Sequence, residues 1–265
     1  MLLYIYMQTR TYLRDCFSKG RLTRWPDKVM PLSVFIGKFN WYRSKGVSDE
    51  IKYTKMIEDA LDIWQRLSGG VVSFKRTNKI YDSNINIEWR RVDRKSLGTC
   101  TFNYSKSWYY YSAEVSIGLS DGIIHHKYMD ENEVFHTIIH EIGHAVGLGH
   151  SATKGDIMYV PHEYGVVNVS QNDIATLRWL YKFPIGKTEQ EIIAMYPQFK
   201  VKSIDELARV LSGEKSEFEK TKDALLYNMP QKDLLQETDN IGDLKKYLMQ
   251  LNNMTINVDP SKFKK

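Results

Sequence analysis

Two cysteines among 265 residues rule out a disulfide-framed fold. Cys16 and Cys100 can be inert thiols or partners in one bridge, and spacing alone does not separate these. No apolar run approaches the roughly 18 residues that a membrane-spanning helix needs. The opening Met1-Leu2-Leu3-Tyr4-Ile5-Tyr6-Met7 is apolar but short, without a basic leader or a small-residue cleavage site. It makes a poor signal peptide; the remnant of one and an N-terminal strand are both open readings. Net charge is small, at +5, and residues 183–265 carry equal numbers of basic and acidic side chains. No basic run is interleaved with aromatics, so nucleic acid is not an expected partner. The length leaves room for one domain of ordinary size and an appendage.

What is present concentrates between His140 and Met158. The chain reads His140-Glu141-Ile142-Gly143-His144-Ala145-Val146-Gly147-Leu148-Gly149-His150, then Ser151 and, shortly after, Met158. Val134, Phe135, Ile138, Ile139, Ile142, Ala145 and Val146 recur at helical spacing, which predicts a helix through the first two histidines. Residues four apart on a helix stand one above the other, so His140 and His144 can face one metal ion. Glu141 adjoins the first ligand, within reach of a water on that ion. Gly147 can end the helix in the left-handed conformation, letting the chain double back with His150. Three neutral imidazoles leave a fourth tetrahedral position open, as a catalytic zinc requires.

The pattern H-E-x-x-H-x-x-G-x-x-H with a downstream methionine resembles the metzincin metallopeptidases. Ser151 directly after the third histidine, and the short path to Met158, resemble the matrixin branch, over about residues 20–181. The resemblance implies an α+β fold: a twisted mixed five-stranded sheet, two long helices and a C-terminal helix. It implies a zinc endopeptidase in which His140, His144 and His150 hold one catalytic Zn²⁺ and Met158 forms the Met-turn floor. Glu141 would be the general base toward zinc-bound water. The rival classes are a zinc-containing peptide-binding module without turnover and a non-peptidase zinc hydrolase. Matrixin zymogens block the metal with a propeptide cysteine, which adds a latency switch to the readings of Cys16. Arg14-Asp15-Cys16-Phe17 lacks the family's surrounding motif, however. The family is typically extracellular, which suggests the cell exterior or envelope.

Along the chain, residues 1–19 read as a leader or short pro-segment, 20–182 as the peptidase domain and 183–265 as a small helical extension. Strands are expected at Leu32–Ile36, Val71–Phe74, Asn84–Trp89 and Ser112–Leu119. A helix from Ser48 to about Leu67 carries the stripe Tyr53, Ile57, Ala60, Leu61 and Trp64. By resemblance, Gly98, Thr99, Cys100 and Thr101 belong to a free edge strand along which a peptide substrate lies. Pro161 and Tyr164 then belong to the wall of the pocket beyond the scissile bond. Cys100 and Ser116 fall about where relatives place two ligands of a structural zinc, so that second ion is not expected; calcium is left open. Trp108-Tyr109-Tyr110-Tyr111 reads as a partly buried loop plug or a cleft rim. His125, His126, His136 and His162 read as single solvated histidines. Ser170 caps a helix to Tyr181, with Asp173 at the capping-box position. Beyond Pro184, helical spacing recurs near 188–196, 203–211, 214–228 and 241–251, where a docking partner is one possible use.

Overall fold

The computed structural model describes residues 9–39, 47–91, 97–119, 131–163 and 165–227. The chain divides into two compact units, Met1–Ser216 and Glu217–Lys265. The opening residues 1–8, His125 and His126, Tyr164 and the helical spacing at 241–251 fall outside the described residues.

The first unit begins with a 3-10 turn at Leu13–Cys16 and a tight ladder of β1 (Phe17–Ser18) and β2 (Arg21–Leu22). Then come β3 (Leu32–Ile36), α1 (Val47–Ser68), β4 (Phe74–Thr77), β5 (Ile85–Arg91), β6 (Gly98–Tyr104) and β7 (Tyr110–Leu119). They are followed by α2 (Glu131–Ala145), α3 (Gln171–Lys182), α4 (Glu189–Ala194) and α5 (Ile204–Leu211). The second unit opens with α6 (Glu217–Tyr227). Five strands form one sheet in the order β4-β3-β5-β7-β6, all parallel except β6, which runs antiparallel to β7. The fold is the α+β arrangement expected, a mixed five-stranded sheet with helices against it.

Alternation sets the sheet's buried side. Ile85 and Ile87 pair with Ala113 and Val115, and all four are essentially inaccessible. The α1 stripe buries Ile57, Ala60, Leu61 and Trp64, and the Trp64 indole donates to the Ile139 carbonyl of α2 at 3.0 Å. Among the described residues β6 pairs with β7 alone, so one side of this strand keeps its backbone groups free.

Three sequence expectations shift. The second strand starts at Phe74, not Val71, because Gly69 and Gly70 turn the chain at positive φ and Val72 drops into the core. Strand β7 begins two residues early, since its ladder with β6 extends to Tyr104↔Tyr110. The aromatic quartet therefore splits: Tyr110 is buried and stacked on Phe102, Tyr111 is exposed, and Trp108 stacks on Tyr104.

The compact unit also runs past both expected boundaries, 19 and 182. Tyr12, Leu13 and Cys16 are core residues, as are Ile192, Ile204, Leu207 and Ala208. Asp205 of α5 joins the two ends, accepting from the Thr11 hydroxyl and the Leu13 N–H, each at 2.7 Å. Glu189 does the same through the Arg14 guanidinium at 2.9 Å and the Ile204 N–H at 3.0 Å.

Candidate metal centre and cleft

Helix α2 carries His140 and His144 on one face and stops directly after them. Its end is a Schellman turn: Leu148 N–H donates to the Gly143 carbonyl at 3.0 Å and Gly147 N–H to that of His144 at 2.6 Å. Gly147 takes φ +107, a conformation that a side chain would oppose. The remaining carbonyls of the last turn, Ala145 and Val146, accept from the Trp25 indole at 2.8 Å and the Tyr181 hydroxyl at 3.0 Å. The reversal returns His150 to the helix, and the three ligand nitrogens lie within 4.8 Å of one another.

The ring tautomers are set by the backbone. A carbonyl only accepts, so Nδ1 of His140 is protonated toward Ile157 and Nδ1 of His144 toward Leu148, each at 2.8 Å. Both Nε2 lone pairs are thus left for a shared cation. Nε2 of His144 and His150 stand 3.1 Å apart, close to the roughly 3.3 Å expected of two nitrogens on tetrahedral zinc. Burial lowers the His140 ring to about 3 and His144 to about 4, so both are neutral, as metal ligation requires. The donor set fits zinc.

Met158 lies beneath this helix with no exposure. A Cβ on Gly143 would strike its Sδ and stand 2.9 Å from Trp64 Cζ2, so the glycine between the two ligands admits the sulfur. Ser151 N–H donates to the Met158 carbonyl at 2.8 Å, tying the third ligand to the turn. Asp173, with the Ser170 capping box present in full, accepts from Ile157 N–H at 3.0 Å.

Glu141 faces the cleft between α2 and β6 and is 5% exposed. Its Oε2 meets no hydrogen-bond partner among the described residues. Burial pushes its carboxyl up to about 8, with the charge of Arg90 pulling the other way.

The Peptidase_M10 (matrixin) family model matches residues 38–182, more than half of the chain. The chain belongs to the matrixin family. Membership implies a zinc metallopeptidase, a protein or peptide substrate and, for matrixins in general, an extracellular setting. No helix among the described residues is long and apolar enough to cross a membrane. No curated protein matches the chain. One solved structure, the GM1-bound form of the ECX AB5 holotoxin, is 16% identical over 65% of this chain and 91% of that one. Its TM-score of 0.41 supports no inference.

The matrixin cleft measures about 640 Å³ and is lined by Gly98, Thr99, Cys100 and Pro161 together with the three histidines and Glu141. Thr101 is exposed on β6 and does not line it, and Tyr164 lies outside the described residues. Cys16 and Cys100 are both free, which overturns the bridge. Cys16 is buried and its Sγ accepts from Gly149 N–H at 3.3 Å, beneath the loop that carries His150. Burial pushes this thiol up to about 12.

Sequence reasoning missed two residues. His136 is not solvated: it is 4% exposed, its Nδ1–H donates to the Val166 carbonyl, and it lines the cleft. His162 meets it edge-on with ring centroids 3.9 Å apart, and lines the cleft too. The available signal was spacing, since His136, His140 and His144 share one helical face.

Proposed function

We propose that this chain is a zinc endopeptidase that cuts extended protein segments outside the cell or in its envelope. Zn²⁺ held by His140, His144 and His150 would polarise the scissile carbonyl and acidify a water. The substrate adds to the free side of β6 through backbone hydrogen bonds, beside Gly98, Thr99 and Cys100. Its side chain beyond the scissile bond enters between α2 and the segment Tyr159–His162. Glu141 takes the proton of the attacking water and returns it to the departing amine. Met158 supports the ligand platform from below and bonds to nothing in the reaction.

The observation that carries this reading is the Glu141 carboxylate. A buried carboxylate with an unpartnered oxygen costs stability, and such groups concentrate where proton transfer is needed. A module that only held peptides would have no use for it. The test is Glu141→Ala, measured for zinc content and for hydrolysis of casein. We expect full zinc and a loss of at least ~10²-fold in kcat. Wild-type turnover by the zinc-replete variant would remove Glu141 from the chemistry. A zinc-loaded wild-type protein that binds peptides without cutting them would establish the binding-module reading instead.

A further inference from the structure

The floor of the cleft beside the metal centre is polar. His136 lies one helical turn before His140, with ring centroids 5.9 Å apart, and His162 closes over it from the opposite wall. Thr137 completes the floor, but its hydroxyl is engaged with the Glu133 carbonyl at 2.9 Å. Because Nδ1 of His136 donates to Val166, its Nε2 is an acceptor in the neutral ring. Both nitrogens of His162 are covered, and neither meets a hydrogen-bond partner among the described residues. A neutral imidazole offers one donor and one acceptor, so the guest that satisfies this pair must itself both donate and accept.

We propose that His162, backed by His136, makes this pocket selective for a carboxamide side chain, so that the enzyme cuts ahead of glutamine in preference to leucine. The assignment rests on the peptidase reading for where substrate lies. Length argues for glutamine, since a guest rooted at the metal must span about one helical turn, roughly 6 Å, to reach His136. Hydrogen bonding argues against glutamate, because an ionised carboxylate only accepts and would leave the acceptor nitrogen of the pair unpaired. An aliphatic guest fills the space but leaves the His162 nitrogens buried and unpaired. Sites built to bond a polar group reject analogues that lack it far more strongly than apolar pockets reject a missing methylene.

The experiment uses the zinc-loaded full chain and peptide hydroxamates whose side chain next to the metal-binding group is glutamine, glutamate or leucine. Matched peptides are followed for cleavage alongside. We expect the glutamine hydroxamate to bind at least tenfold tighter than either other. His162→Phe should bring the glutamine-to-leucine ratio to one or below, while His162→Asn, which keeps a donor and an acceptor, should hold it above one. Equal or tighter binding of leucine, or a ratio unmoved by His162→Phe, overturns the proposal even if peptides are cut. Glutamine preference in hydroxamates with no peptide cleaved upholds the pocket and instead removes the peptidase reading.

Discussion

Gly98 of β6 lies so close to Glu141 that a Cβ added there would stand 2.5 Å from Oε1 and 2.6 Å from Cγ. The absence of a side chain on the edge strand is therefore what lets the carboxylate occupy its place in the cleft. Gly98→Ala should push Glu141 off the attacking water while leaving the three histidines in position. We expect kcat to fall at least ~10-fold at unchanged zinc content, because a misplaced general base loses part of its 10²–10⁴-fold contribution. Unchanged kcat, read with metal analysis on the same sample, would show that the carboxylate does not depend on this contact.

Besides the Cys16 contact with Gly149, the N-terminal segment reaches the metal centre through a buried hydrogen bond. Tyr12 hydroxyl donates to Asp173 Oδ1 at 2.7 Å, and Oδ2 accepts from Ser170 and Ile157 at 2.9 and 3.0 Å. The Ile157 carbonyl in turn holds His140. Asp173 has no exposure, so Tyr12→Phe leaves a buried carboxylate one donor short. We expect a loss of about 1–3 kcal/mol in denaturant unfolding. A loss below about 0.3 kcal/mol would mean that the tyrosine ring, not its hydroxyl, carries the contact.

Much of this site is written in local spacing, which is why His140, His144, His150 and the capping box of α3 are legible in sequence. Helical periodicity places two imidazoles together, and glycine marks the turn that returns the third. Alternation likewise locates β5 and β7 to within two residues and a β-branched run marks β3, whereas β6 is placed by resemblance. What spacing cannot encode is which distant segment covers a residue. His136 reads as solvated until Val166 and His162 are seen against it, and Leu13 reads as leader until Asp205 accepts its N–H. The strand at Val71 fails for the same reason, since Val72 is claimed by the core rather than by a ladder.

The approach of Met158 to Gly143 predicts a coupling between two residues fifteen positions apart in sequence. Gly143→Ala overpacks a site walled by Met158 and Trp64, and should cost about 1–3 kcal/mol. Met158→Ala alone opens a cavity of its own. Combined, the alanine Cβ occupies space that the lost thioether vacates, so the double variant should be less destabilised than the sum by at least ~0.5 kcal/mol. Strict additivity in a thermal or denaturant cycle would place the two residues out of contact.

In the metal-free protein the buried site should also give unfolding a specific pH profile. His136, His140 and His144 are lowered from 6.5 to about 4, 3 and 4, mainly by burial. The folded state thus binds fewer protons than the unfolded chain below about pH 6.5, and stability is lost as pH falls through that range toward 4. Glu141 has the opposite sign. Raised from 4.5 to about 8, it favours the fold while protonated, and this contribution is lost as pH rises from about 5 to 8. Metal-free wild type should therefore be most stable near neutrality, and Glu141→Gln should gain on it progressively between pH 5 and 8. Zinc, which needs neutral imidazoles and favours a nearby anion, should flatten the alkaline side of the wild-type curve. Parallel curves for the metal-free wild type and Glu141→Gln across that interval, measured by urea unfolding, would show that the carboxylate is ionised throughout and that its burial does not hold the proton.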